Sequence, residues 1–446
     1  MKINEILIEN LSHDGRGVAR LNGKTLFVTG ALPGEKVTCQ ITYHHRQYDE
    51  GSVLKIIEPS PQRVSPLCVH YETCGGCVLQ HLNENAQLEN KENAFWQTLK
   101  KIGQVEPHIR LPAIKSPSWQ YRHRARLHVQ VKNKTVAVGF KSKLDPHAVT
   151  KITSCPILMP ALEKLLPGLN QLLETMSKPN LIKDIRIAQG QTEDKPRDVG
   201  VRDEKERVGL LFHCSNMLDA PTLAILETFG KKNHCRVFLQ VNSEKVQAIF
   251  PKHSVDQCIY PFQHLSLTLC FSLNDFTQVN VSVNESMLIA AKKMMHLETD
   301  DRVGDLFSGL GNFSLFLAPH VKQIFGAEYA REMVNEAKQN AIANQLTNLK
   351  FEMLNLEDLK AVQSFLKRHE INKLIIDPPR SGARTVVESL NNKQVNGILY
   401  ISCHPGTLAR DAKILVHEKK YTLKSARVVN MFPHTGHIEA MAWFER

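Results

Sequence analysis

From about residue 276 onward the hydrophobic period alternates between about 3.6 and 2, and this alternation restricts the fold more than any other feature of the chain. NESMLIAAKKMM reads as a helix, RVGDLF as a strand, NFSLFLAP as a helix, VKQIFGAEY as a strand and REMVNEAKQNAIANQ as a helix. NLKFEMLN, KLIIDPP and GILYISC continue as strands with helical segments between them, LARDAKILVHE follows as a helix, and further strands close the chain. Strands spaced by helices in this way pair in parallel, because a crossover helix returns the chain to the end of the sheet from which it started. The fold class is therefore α/β, with residues 273–446 as a Rossmann-like domain. Its ligand is expected beyond the carboxyl ends of the strands.

Those ends carry a pattern. In DLFSGLGNFSL (305–315) Asp305 closes a strand, and Gly309 and Gly311 turn the chain into a helix. Ser314 stands where a dinucleotide fingerprint has its third glycine, so that reading is weakened. Glu328 ends VKQIFGAEY, placed to accept from ribose hydroxyls, Asn355 ends NLKFEMLN near an adenine edge, and Asp377 opens DPPR after KLII. Each alone is consistent with an ordinary strand-end cap. Together they suit a cofactor with ribose, adenine and a positive charge, and S-adenosylmethionine has all three.

The front of the chain is different. Residues 1–60 hold short alternating runs, ILIENL, GKTLFVTG, KVTCQITYH and GSVLKII, divided by turns such as HDGRG and LPGEK. This spacing suggests a small β-barrel of the OB type, whose face and loops can carry RNA. EPSPQRVSP reads as a linker. Residues 61–272 mix strands (ARLHVQV, TVAVGF, RVFLQV, AIFP) with helices (LEKLLPGLNQLLETM, PTLAILETFG) around a polar loop, EDKPRDVGVRDEKER, as a central α+β domain. The net charge is +11, and from Pro107 to Leu144 there is no Asp or Glu. Within that run YRHRARLHVQV alternates at a strand period, so that Arg122, Arg124 and Arg126 are expected to share one face and contact phosphate. The N-terminal MKINEILIENLSHDG is too charged for a signal peptide, and no run approaches the ~18 apolar residues of a membrane span. A cytoplasmic protein with no membrane partner is expected.

In a reducing compartment the ten cysteines are not read as disulfides. Cys39, Cys214, Cys235, Cys258 and Cys270 lie among apolar neighbours as small core residues. Cys68, Cys74 and Cys77 form C-x5-C-x2-C around Gly75 and Gly76, and Cys155 in TSCPIL offers a fourth thiolate. Four thiolates fit zinc or a [4Fe–4S] cluster, and spacing alone favours zinc. Cys403 is separate. It sits at the strand end of ISCHPGTLARD, where a small buried filler is the simpler reading of the stretch by itself and a presented nucleophile the other.

DFTQVN (275–280), DLFSGLGNFSL (305–315), DPPRSG (377–382), SCHPGTLARD (402–411) and MFPHTGHIE (431–439) resemble the RNA uracil-5 methyltransferases. GRGVARLNGKTLFVTGALPGE (15–35) is similar to their TRAM domain, and CVHYETCGGCVLQH (68–81) to the iron–sulfur segment of their ribosomal RNA branch. The resemblance implies that a methyl group passes from S-adenosylmethionine to C5 of a specific uridine in 23S ribosomal RNA, with Cys403 as nucleophile and Glu439 as general base. It implies Gln278, Phe307, Asn312, Glu328, Asn355 and Asp377 as cofactor-binding residues. It also turns the metal expectation to a [4Fe–4S] cluster on Cys68, Cys74, Cys77 and Cys155, in a chain acting as a monomer. Arg410 is a candidate for lowering the pKa of the thiol. Tyr121 and Phe432 are candidates for stacking in the place the target base leaves, and His434 and His437 for scaffold or RNA contact. His404 stands where the family usually has Asn, Ser308 where it commonly has Cys, and DPPR is spelled as in the transfer RNA branch. The alternatives are a transfer RNA uracil-5 methyltransferase and a non-catalytic RNA-binding ribosome assembly factor.

Overall fold

The structure, a computed structural model, describes residues 2–12, 14–133, 135–190, 208–390 and 394–446. The polar loop EDKPRDVGVRDEKER lies outside the described residues.

Six strands between Lys2 and Glu58 form the first sheet. Alternate residues, among them Leu26, Val28, Val37 and Cys39, turn inward to a core of their own while their neighbours stay accessible. A seven-stranded sheet follows, with Arg124–Lys132 and Ile182–Gln189 antiparallel at its middle. Its core takes in Cys155, Cys214 and Cys235. The helical run LEKLLPGLNQLLETM is broken: Pro160–Glu163 and Leu166–Thr175 are separate helices, and Pro167 lies in the first turn of the second, where its missing N–H costs nothing.

On the basic face expected in this sheet Arg122 and Arg124 are half-buried and Arg126 is exposed, and all three bond to neighbouring protein groups. Arg124 Nη1 donates to Thr277 Oγ1 at 3.0 Å and Nη2 to the Leu273 carbonyl at 3.2 Å, tying the central sheet to the segment before the cofactor domain. Burial pulls this guanidinium down to about 10. Arg122 Nε bonds the Arg124 carbonyl, and Arg126 pairs with the buried Asp184 at 2.8 Å. Each of the three arginines thus makes a bond within the protein, while the Arg126 side chain stays exposed beside its ion pair. Tyr121, on the opposite face, is buried, its hydroxyl donating to the Pro433 carbonyl, which removes it as a stacking partner.

The third sheet has eight strands, in the order Leu349–Met353, Gln323–Glu328, Arg302–Leu306, Lys373–Ile376, Gly397–Ser402, Glu439–Glu445, Thr422–Val429, Ile109–Arg110. The first five are parallel, and Glu439–Glu445 runs antiparallel between its two neighbours. The two-residue strand Ile109–Arg110 and the helix Glu84–Thr98 come from the stretch expected in the central unit, yet Phe95 and Leu99 pack with Tyr400, Leu408 and Val428.

One glutamine of that helix joins three parts of the chain. Buried Gln87 donates to the carbonyls of Leu79 and Leu82 at 3.0 and 2.8 Å, lies 3.2 Å from His434 Nδ1, and accepts from the His434 amide at 2.9 Å. The His434 ring also stacks on Trp119 at 3.9 Å, so His434 is scaffold. Gln87→Ala leaves several of these buried groups without partners and should lower stability by roughly 3 kcal/mol. A denaturation midpoint within a few tenths of a kcal/mol of wild type would contradict that role.

Candidate active site

The parallel strands present their carboxyl ends at one edge, and the winding reverses between Arg302–Leu306 and Lys373–Ile376, the place where open α/β sheets hold a ligand. Read across that edge, the residues in order are Asn355, Glu328, Phe307, Asp377, Cys403 and Glu439. Glu439 joins them because its strand starts where the parallel ones finish. Ser402 is opposite Ala440, so one step further Cys403 leaves the sheet beside Glu439.

The cofactor half is shaped by backbone. Phe307, Gly309 and Gly311 all have positive φ, 64°, 54° and 90°. A Cβ on Gly311 would lie 3.0 Å from the Phe351 ring, so this turn needs glycine both for conformation and for space. The Glu328 carboxylate is aimed by three amides, those of Gly309 at 3.2 Å, Tyr329 at 2.7 Å and Ala330 at 3.1 Å. Asn312 and the buried Asn284 exchange amide hydrogen bonds at 2.9 Å, which pins the glycine turn to the helix Val281–Met294. Asn284 had no signal in the sequence beyond its place on that helix. Gln278 lies just before the helix, its carbonyl held by the Tyr260 hydroxyl at 2.9 Å. Asn355 is exposed in the turn after its strand, with Oδ1 accepting from the Glu357 amide at 3.0 Å.

The chemical half is a chain of coupled acids. Burial, despite a 2.6 Å bond from the Ser314 hydroxyl, pushes Asp305 up to about 7. Burial and then the charge of Asp305 push Asp377 up to about 7. Burial and then Asp377 hold Glu439 well above the usual carboxylate range. Burial, then Glu439 and Asp377, raise the Cys403 thiol, while Arg380 draws it down. A pocket with this excess of acid retains protons when empty, and a cation entering it stabilises the ionised forms.

One expectation is corrected here and one departure is explained. The cation that lowers the Cys403 thiol is Arg380 of DPPR, whereas Arg410 is committed to Asp411 and the Ser381 carbonyl. His404 is the N-cap of the helix Pro405–Lys413, its Nδ1 accepting from the Thr407 amide at 3.2 Å. Asn is also a strong N-cap, so the His-for-Asn departure keeps the local geometry.

Cys68, Cys74, Cys77 and Cys155 are brought together from the loop before the first long helix and from the central domain. Burial and then the neighbouring thiols raise Cys77 to about 11 and Cys155 to about 12. Donors surround them: the Gly76 amide lies 3.4 Å from Cys74 Sγ, Gln80 bonds Cys77, and Lys143 sits nearby over the Tyr71 ring. Among the described residues no group of three or more His, Cys, Asp or Glu side chains converges on one metal-ion position. Among them, too, no helix is long and apolar enough to cross a membrane.

Comparison with known proteins agrees with this geometry. Residues 83–446 match the family model described as tRNA (Uracil-5-)-methyltransferase, and residues 2–54 match the TRAM domain. The 23S rRNA (uracil(1939)-C(5))-methyltransferase RlmD of Legionella pneumophila (strain Paris) is 40% identical over 98% of this chain and 96% of its own length. The protein of the same name from Methylococcus capsulatus is 38% identical over 98% and 96%. Among solved structures, the Pyrococcus abyssi tRNA (uracil-54, C5)-methyltransferase in complex with S-adenosyl-L-homocysteine aligns over 99% of both chains with a TM-score of 0.73. At 21% sequence identity that likeness is one of fold.

Proposed function

Because this chain belongs to the RNA uracil-5 methyltransferase family, we propose that it methylates C5 of one uridine in 23S ribosomal RNA, the position numbered 1939 in the names of its relatives. The observation that supports this best is the placement of Cys403 and Glu439 side by side on adjacent strands, with Asp377 and the cofactor-type strand ends next to them. A scaffold built on a retired enzyme fold would have no reason to keep a thiol, a buried carboxylate and this crevice in register.

C5 of uracil is a poor nucleophile. The Cys403 thiolate adds at C6, and the electron pair displaced from the C5–C6 bond makes C5 enolate-like. S-adenosylmethionine, when bound, supplies the methyl group at C5 and leaves as the neutral thioether. Glu439 then takes the C5 proton, the C5–C6 double bond re-forms, and the Cys403 sulfur departs with its electron pair. Glu328 is set to hold ribose hydroxyls and Asn355 the adenine edge, with Gln278, Phe307, Asn312 and Asp377 completing the pocket. Asp377 adds an anion beside the site of the sulfonium charge. Phe276, 67% exposed and two residues from Gln278, is better placed than Tyr121 to stack on a base drawn out of its helix. On the N-terminal sheet, Tyr43, His45 and Tyr48 form an accessible ladder with ring centroids 4.5 and 4.2 Å apart, suited to unpaired bases.

The four thiols fit a [4Fe–4S] cluster by their chemistry. They lie close enough to raise one another, and amide and side-chain donors face the sulfurs. Protein supplies all four ligands, so the cluster would cross-link the 68–81 loop to the domain around Cys155. Protein prepared without oxygen should contain iron and acid-labile sulfide in equal amounts, and Cys155→Ser should lose both. Zinc without sulfide would overturn the cluster. The substrate is tested by methyl transfer from labelled S-adenosylmethionine to matched transcripts. 5-Methyluridine at one site of a 23S fragment is expected, and preferential labelling of transfer RNA would favour the transfer RNA enzyme instead. Cytoplasmic location and monomeric action are part of the same reading.

A further inference from the structure

The motif SCHPGTLARD ends in Arg410 and Asp411, which the reaction leaves without a task. Asp411 is fully buried. Its Oδ2 accepts from the Ala383 amide at 2.8 Å and from the Tyr400 hydroxyl at 2.7 Å, and its Oδ1 from Arg410 Nε at 2.8 Å. Arg410 Nη2 reaches on to the Ser381 carbonyl at 3.0 Å. Gly382, at φ +80°, lies against the same group: a Cβ there would come within 2.6 Å of Arg410 Nη2 and 2.8 Å of Asp411 Oδ2. The Gly382 amide closes the turn onto the Pro379 carbonyl at 2.9 Å.

Ser381 and Ala383 are thus fastened from below, with Gly382 packed against the same anchor, and Arg380 is left at the exposed corner of the turn. Its Nη2 lies 3.3 Å from His437 Nδ1, and its charge reaches Cys403. The helix that holds the turn starts two residues after Cys403, and Tyr400 is on the strand that ends just before it. Nucleophile, turn and anchor are therefore one mechanical unit. A fully buried carboxylate is a costly way to hold a surface turn, because it gives up its hydration while its partner Arg410 stays partly exposed. The cost is understandable if the conformation of that turn matters.

We propose that Asp411, with Tyr400 and Arg410, is a positioning node that holds the 379–382 turn so that Arg380 faces the Cys403 thiol. The proposal rests on Cys403 as the nucleophile. The charged groups facing the thiol are Glu439 from the neighbouring strand, Asp377 from the strand on the other side, and Arg380 from the turn. Of these charges the first two raise it and Arg380, together with a backbone hydrogen bond, lowers it, so a turn that drifts leaves the thiol less ionised at neutral pH.

The test is the rate of Cys403 alkylation by iodoacetamide against pH in the full-length protein, followed on the Cys403 peptide by mass spectrometry. It needs no turnover. Arg380→Gln should move the profile to higher pH and slow alkylation at neutral pH about three- to tenfold. Asp411→Asn should do the same, and the double variant should be no slower than Arg380→Gln alone, because both changes remove one contact. Tyr400→Phe, which deletes a single hydroxyl, should shift the profile less and in the same direction; it carries the test if Asp411→Asn does not fold. A wild-type profile in the Asp411 and Tyr400 variants, no shift in Arg380→Gln, or additive shifts in the double variant would each overturn the proposal. Turnover surviving in Cys403→Ala would instead overturn the nucleophile assignment and leave the alkylation profile as measured.

Discussion

Cys403→Ala should reduce formation of 5-methyluridine by at least about 10⁴-fold, because no other group in the crevice can add to C6 and raise the electron density at C5. The loss should appear in kcat and leave cofactor binding nearly unchanged, since the strand ending at Cys403 is separated from the strands of Glu328 and Asn355, proposed to meet ribose and adenine, by those of Phe307 and Asp377. Cys403→Ser should fare little better: an alkoxide is far harder to form than a thiolate in a pocket where burial, Glu439 and Asp377 already oppose a further negative charge. Appreciable methylation by either variant, with the product confirmed as 5-methyluridine, would remove the covalent route and return Cys403 to the role of a small filler at a strand end.

Glu439→Gln should separate the two halves of the reaction. Addition of the thiolate and methylation of C5 do not need a base, so one turnover's worth of methyl should be transferred and then held. Without a carboxylate to take the C5 proton, the methylated RNA stays bound to Cys403, and turnover falls about 10³-fold. The pH dependence follows from the same residue. Burial and the charge of Asp377 keep Glu439 protonated to a higher pH than an ordinary carboxylate, and only the ionised form accepts a proton. The thiol, also raised, must ionise as well. Both conditions have one sign: kcat/KM of wild type should climb with pH through neutrality and continue to a higher pH than an ordinary carboxylate and thiol would require. A profile level from weakly acid pH upward would contradict the coupled acid pocket. A Glu439→Gln enzyme that turns over normally would show that the C5 proton goes elsewhere.

What could be read from the chain before folding, and what could not, divides along physical lines. Glu328, Asn355 and Asp377 were legible because a parallel sheet brings its strand ends to one edge whatever the loops do. Cys403 was legible from pattern alone only as a position, and its role as nucleophile came from the family resemblance, since its neighbour Glu439 comes from an antiparallel strand more than thirty residues on and only pairing reveals the contact. Arg122, Arg124 and Arg126 show the limit of periodicity. Period two placed them on one face, but it does not say that Thr277, Leu273 and Asp184 will take up donors of Arg124 and Arg126. Arg410 and Arg380 illustrate the same difficulty at short range. Both are within the recognised motifs, and only the turn at Gly382 decides that one is an anchor and the other faces the thiol. The strand Ile109–Arg110 is too short to carry any period at all, so its place at the edge of the eight-stranded sheet had no signature.

The central claim is that Cys403 forms a bond to the uracil during methylation. It is tested most directly with a 23S RNA fragment carrying 5-fluorouridine at the target, incubated with S-adenosylmethionine and wild-type or Cys403→Ala protein, then denatured. Fluorine cannot leave C5 as a cation, so the base has nothing to remove and the enzyme–RNA bond persists after methyl transfer. The account predicts a denaturation-resistant, methylated complex whose RNA is attached to the Cys403 peptide, and none with Cys403→Ala. A methylated fragment released free of protein, or a complex that forms equally well without Cys403, would contradict it.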